Sequence, residues 1–201
     1  NGSIEFEHSE IKFELDENGK PISIKRKQMF DTNHLIEEYM LLANKEVAEF
    51  IFKLNKKDLL FIYRIHDVPD PEKIQALEVF LKAIGYDFNP KEESVTNQDI
   101  NKLFKQINGK PVEELIKIST IRAMSKAVYS TKNIGHFGLA FKYYTHFTSP
   151  IRRYPDLMAH RIMKRELQGK EIPQEEFKKY EKLAFTSTEQ EIKATQAERD
   201  S

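Results

Sequence analysis

Residues 146–161 read HFTSPIRRYPDLMAHR, with Arg152 and Arg153 side by side between Pro150 and Pro155. Ser149 is a good N-cap, and Pro150 suits the first position of a helix. Pro155 would then lie inside that helix, removing one hydrogen bond and crowding Ile151. The other arrangement is a single turn from Pro150 to Tyr154 with the helix restarting at Pro155, because a residue before proline avoids helical angles. In either case both guanidinium groups sit at the positive end of a helix dipole, which disfavours cations by about 0.3–1 kcal/mol. Two explanations remain open. Free backbone N–H groups and two planar forks make a site for phosphate. Alternatively, the arginines pair with buried carboxylates elsewhere, for instance in the acid-rich final helix.

Other side chains nearby invite chemistry. His136, His146 and His160 raise the question of a metal or a general base, and Asp156 and His160 are spaced to hydrogen-bond on one helix face. Three histidines without acidic company are a weak metal signal, and packing with hydrogen bonding is the expectation. Tyr129, Tyr143 and Tyr144 read as core or groove lining. Asp67 and Asp70 flank a Val-Pro turn and read as structural.

The elements that must position these residues follow from periodicity. Ile11, Phe13 and Leu15 alternate with polar residues, DENGK offers a turn with Gly19 at positive φ, and Ile22 and Ile24 resume the alternation, which predicts a hairpin. From Asp31 the period becomes helical through Leu35, Ile36, Tyr39, Met40, Ala43, Val47, Phe50 and Ile51, with Asp31 or Asn33 as cap. LLFIYRIH (residues 59–66) reads as a buried strand. Pro71 opens a helix that ends at Gly85. Residues 89–97 form a loop, a shorter helix ends at Gly109, and Pro111 opens another that runs to about Tyr129. GHFGLAFKYYTHF (residues 135–147) reads as extended. Two further helices run from about Pro150 to Leu167 and from Pro173 towards Arg199. The fold class is α+β, with helices packed on a small antiparallel or mixed sheet.

At 201 residues and 39% hydrophobic, the chain can bury one substantial core or two small ones. Lys+Arg and Asp+Glu are both 32, so net charge is silent about partners. Position says more. Between Thr120 and Arg165 there are nine basic residues against one acid, Asp156, a modest sign of an anionic ligand. The absence of cysteine excludes disulfides, thiolate metal sites and a Cys nucleophile. That composition, with no apolar run near the roughly 20 residues a span needs and no signal-peptide start, predicts a cytoplasmic protein without membrane contact. The sequence begins beside a strand and stops inside a helix, so a part of a larger domain is expected.

THFTSPIRRYPDLMAHR resembles the signature of the ribonuclease R / ribonuclease II family, the RNB domain shared with the catalytic subunit of the exosome. GHFGLAFKYYTHF, IRAMSKAVYS (residues 121–130), RIHDVPDPEKIQAL (64–77), DTNHLIEEYMLLANKEVA (31–48), GSIEFE and AERDS agree with it in order over nearly the whole chain. The doubled arginine and YPDL are closer to ribonuclease R.

The resemblance implies processive 3′→5′ hydrolysis of single-stranded RNA to nucleoside 5′-monophosphates, by a monomer. It places the catalytic, phosphate-holding arginine on Arg152, with Arg153 on a neighbouring phosphate or in a structural pair, and Ser149 counted beside them. Glu37 falls on the acid that fixes the terminal nucleotide through sugar hydroxyls, Phe6 on the aromatic that closes a stack of bases, and Glu198 on an acid near the RNA path. Family chemistry also needs Mg²⁺ on a cluster of aspartates upstream of this sequence. No Asp-x-Asp-Asp grouping occurs here, so residues 1–201 are expected to be the C-terminal portion of one RNB catalytic domain, inactive alone. The alternative is a non-catalytic RNA-binding module of the same fold.

Overall fold

A computed structural model describes residues 2–4, 11–26, 29–54, 59–90, 95–170 and 172–200. Strands β1 (Ile11–Leu15) and β2 (Pro21–Arg26) pair antiparallel, with Phe13 opposite Ile24. The Asp16 carboxylate accepts the N–H groups of Asn18 and Lys20 at 2.9 and 2.8 Å. Gly19 takes φ +79°, the left-handed conformation that glycine adopts without steric cost. This is the hairpin the alternation predicts. The short run at residues 4–6 lies largely outside the described residues.

Helix α1 (Asp31–Lys53) begins as the periodicity predicts, and the Asn33 side chain reaches back to accept the Phe30 N–H at 3.0 Å. Its C-terminal half buries Asn44, Ala48 and Ile51. Leu35, Ile36, Tyr39 and Met40 in its first half are exposed, as are Phe13, Leu15, Ile22 and Ile24 of the hairpin.

Two cores organise the rest. In the first, α2 (Pro71–Ala83), α3 (Asn97–Ile107) and α4 (Glu113–Ala123) pack Leu77, Leu81, Ile100, Leu103, Ile107 and Ile116 together. Asp70 caps α2 by accepting the Glu72 N–H at 2.9 Å, and Asp67 accepts the Val68 N–H at 2.8 Å, so both aspartates are structural. In the second core, α1, α5 (Tyr154–Leu167) and α6 (Gln174–Asp200) surround β3 (Tyr63–Ile65) and β4 (Val128–Ser130), burying Ala48, Ile51, Phe61, Ile62, Met158, Ile162 and Ala184.

The fold is α+β, with three differences from the sequence reading. The sheet is two separate antiparallel pairs, β1–β2 and β3–β4. The helix opened at Pro111 stops at Ala123, because residues 128–130 leave it to pair with β3. Residues 135–147 are not one extended strand. Arg64 N–H donates to the Tyr144 carbonyl and His66 N–H to that of Gly135, so this stretch lies along β3. A 3-10 turn at Phe137–Leu139, Gly135 at φ +85° and Ala140 at φ 55° keep it irregular.

Candidate nucleic-acid interface

The arginine doublet adopts the broken arrangement. Arg152 and Arg153 N–H groups both donate to the Ser149 carbonyl, at 3.3 and 3.0 Å, closing a turn before α5 starts at Tyr154. Pro155 therefore falls in the first turn of α5, where its missing N–H costs nothing. Ile151 and Arg152 are exposed.

The two arginines then diverge. Arg153, 22% exposed, donates Nη2 to Asp156 Oδ1 at 2.8 Å, and Asp156 is 0% exposed. The same oxygen accepts the Ser149 N–H at 2.8 Å. The pair is one-legged: Arg153 Nε and Asp156 Oδ2 are buried without a partner among the described residues. Arg152 has no acidic partner among the described residues. Of the two sequence explanations, carboxylate pairing thus describes Arg153 and does not describe Arg152. The partner is also different from the one suggested by composition. The acid-rich last helix gives its Glu191 to Arg64, at 2.6 and 3.1 Å, while Arg64 also lies 4.5 Å over the Tyr129 ring.

The segment leading into the turn has no regular ladder, and side chains satisfy its backbone instead. Asn44 Oδ1 accepts the N–H groups of Phe147 and Thr148 at 2.9 and 3.2 Å, and Asn44 Nδ2 donates to Tyr144 Oη at 3.2 Å. Thr145 Oγ1 donates to the Ile62 carbonyl at 2.6 Å. His160 bonds the Phe147 carbonyl through Nε2 at 2.8 Å and stacks on its ring at 3.7 Å and 6°. His160 therefore does not bond Asp156, as the four-residue spacing allowed. Buried backbone groups satisfied this way make an irregular segment rigid.

The histidines are packing and hydrogen-bonding groups. Tyr129 Oη meets His146 Nδ1 at 2.8 Å. Burial first, then Arg153 and Arg64, push the His146 pKa down to about 3. Burial, with His66 and Arg64, does the same for His136, also to about 3. Both rings are thus neutral, and His146 is the one that feels the arginines of the turn. Tyr129 and Tyr144 are buried, and burial raises the Tyr129 phenol to about 12. Tyr143 is partly buried and packs against Phe52 at 4.4 Å.

Two of the remaining sequence candidates lie on α1 and α6. Glu37 is exposed on α1, 3.5 Å from His34, and seven residues before Asn44, so it shares the stripe that grips the turn, about 10 Å along the axis. Glu198 lies in the last turn of α6, seven residues past Glu191 on the same face. Phe6 is outside the described residues. Sequence reasoning missed Asn44, Thr145 and the acceptor role of Asp156. Asn44 had a signal: it is a polar residue in the apolar row with Ala48 and Ile51. Thr145 had none.

Among the described residues, no group of three or more His, Cys, Asp or Glu could hold a metal ion. Those residues do not fit a Mg²⁺ site. Among them, too, no helix is long and apolar enough to cross a membrane.

At the N-terminus of α5 the chain thus carries one guanidinium neutralised by Asp156 and one exposed to solvent. Comparison with known proteins gives its family. The RNB domain model matches residues 1–169, and the chain belongs to the RNB domain family. It is 39% identical over 198 residues to Ribonuclease R of Aquifex aeolicus (strain VF5), covering 98% of this chain and 28% of that protein. It resembles Mycoplasma genitalium RNase R in complex with ribose methylated single-stranded RNA, with TM-score 0.87 and 30% identity, covering 99% of this chain and 31% of that one. Yeast Ssd1, a pseudonuclease, is similar at TM-score 0.65 and 26% identity, covering 78% of this chain and 20% of that one. The chain spans less than a third of the length of each.

Proposed function

We propose that this chain is the C-terminal portion of an RNB catalytic domain in a 3′→5′ exoribonuclease. The enzyme degrades single-stranded RNA to nucleoside 5′-monophosphates, works as a cytoplasmic monomer, and uses Mg²⁺ held outside the described residues. The observation that carries this reading is the exposed Arg152 on a turn whose other arginine is already neutralised by Asp156. Likeness to Ribonuclease R at 39% identity supports the reaction class.

In this reading Arg152 is the catalytic arginine. Its planar fork holds the scissile phosphate and stabilises charge gathering on the phosphoryl oxygens, without needing to reorganise during the reaction. Ser149 closes the turn that carries it, and Arg153 adds positive potential while fixing the turn to α5. Glu37 accepts hydrogen bonds from sugar hydroxyls of the terminal nucleotide, Phe6 closes the base stack, and Glu198 borders the RNA path. Stacking contributes roughly 1–3 kcal/mol per base and tolerates any sequence.

The test is a 3′-exonuclease assay, with Mg²⁺ and 5′-labelled single-stranded RNA, on the protein that carries this chain. Stepwise shortening with release of 5′-monophosphates, lost in Arg152→Ala, is expected. Similarity to the pseudonuclease Ssd1 favours one second reading, a non-catalytic RNA-binding module. Tight RNA binding with no shortening in that assay selects it.

A further inference from the structure

Asn44 does more than fill a helix face. It is 3% exposed, and an uncompensated amide there would be costly. Its hydrogen-bonding capacity is matched to three groups of one segment. The Phe147 and Thr148 N–H groups both point at one side of the amide, which requires the oxygen there, and the nitrogen then faces Tyr144 Oη. Those two N–H groups precede Ser149, whose carbonyl closes the arginine turn. Asn44 is thus the polar tie between α1, which carries Glu37, and the backbone that carries Arg152. The neighbouring contacts of that helix face, Ala48 and Ile51, are apolar and non-directional. They hold the helix against the core without fixing where the turn sits along it.

We propose that Asn44 is a positioning residue. By holding the Phe147–Thr148 backbone against α1, it sets the distance between Glu37 and Arg152, and so the register in which a terminal nucleotide meets both. This rests on the reading that Arg152 holds phosphate. Leucine at this position keeps the volume and removes all three bonds. Aspartate keeps two acceptor bonds and lets Tyr144 Oη turn to donate the third.

The experiment measures Kd for a 5′-labelled single-stranded oligoadenylate by anisotropy, with near-ultraviolet dichroism confirming the fold. The wild type, Asn44→Leu, Asn44→Asp, Arg152→Ala and the Asn44→Leu/Arg152→Ala pair are compared. Asn44→Leu is expected to weaken binding about tenfold and Asn44→Asp by less than about threefold. In the double variant, the Leu change is expected to add under about twofold, because residues acting through one another are non-additive. If Asn44→Leu does not melt cooperatively, Asn44→Ser, too short to reach either N–H, carries the same expectation. Three results overturn the inference alone: Asn44→Leu binding like wild type while Arg152→Ala is weak, equal losses in the Leu and Asp variants, or losses that multiply in the double variant. Arg152→Ala binding as tightly as wild type overturns the underlying reading, and this inference with it.

Discussion

Arg153 donates to Asp156 at 2.8 Å across a single turn, and Asp156 is wholly buried while Arg152, one residue away, faces solvent. The carboxylate does two jobs with one oxygen, holding the Ser149 N–H and the guanidinium. Removing it strands both donors. Asp156→Ala is therefore expected to destabilise the fold by about 3 kcal/mol, the scale for breaking a buried pair from one side. Asp156→Asn, which keeps an acceptor, is expected to cost less. Urea midpoints of the three proteins check this order.

Arg152 has the opposite profile. It is exposed and makes no acidic contact among the described residues, so Arg152→Ala is expected to shift stability by less than about 0.5 kcal/mol. Arg153→Ala, by contrast, is expected to lower the melting temperature, because it leaves the Asp156 charge buried and unpaired. Equal melting temperatures for the two variants would show that the doublet is not divided in this way.

Acid should destabilise the molecule through its histidines. His136 and His146 are held near a pKa of about 3, against about 6.5 in an unfolded chain. The unfolded chain takes up protons that the folded state refuses. Their contribution is therefore complete above about pH 6.5 and is lost as pH falls towards 3, by up to about 1.4 kcal/mol per pH unit for each. Burial lowers His66 in the same direction. A lower urea midpoint at pH 5 than at pH 7 is expected, with a smaller difference in His146→Gln.

Two glycines separate backbone strain from steric conflict. Gly19 and Gly135 both have positive φ, but a Cβ on Gly19 meets nothing within 4 Å, whereas on Gly135 it comes 3.1 Å from the Phe141 carbonyl oxygen. Gly19→Ala is expected to cost about 1 kcal/mol from conformation alone. Gly135→Ala adds the contact, which bends the segment leading to the arginine turn, and should cost visibly more. Thermal melts of the two variants decide it.

Much of this was legible where the signal is local. The Gly19 hairpin and the α2 helix, with Pro71 and Gly85 as punctuation, follow from helix-end and turn chemistry. The turn-then-helix arrangement at Arg152 was one of two that proline sterics allowed. What was not legible depended on distant partners. Residues 124–130 have no local reason to leave a helix; pairing of Val128 to Ser130 with β3 makes them do so. The choice of Asp156 over the last helix for Arg153 is set by packing of the turn on α5. Phe6 carried no periodic or compositional mark of function and Glu37 only a mild one, its helix row with Leu41, Asn44 and Ala48, so both assignments rested on resemblance.

The central claim, that this chain presents Arg152 to an RNA phosphate, is tested most directly by the salt dependence of single-stranded RNA binding to the wild type and Arg152→Ala. Each phosphate neutralised contributes about −0.7 to the slope of log K against log salt for a single strand. The account predicts that Arg152→Ala binds about tenfold more weakly and that its slope is shallower by about one such contact. Identical affinity and slope in the two proteins would contradict it.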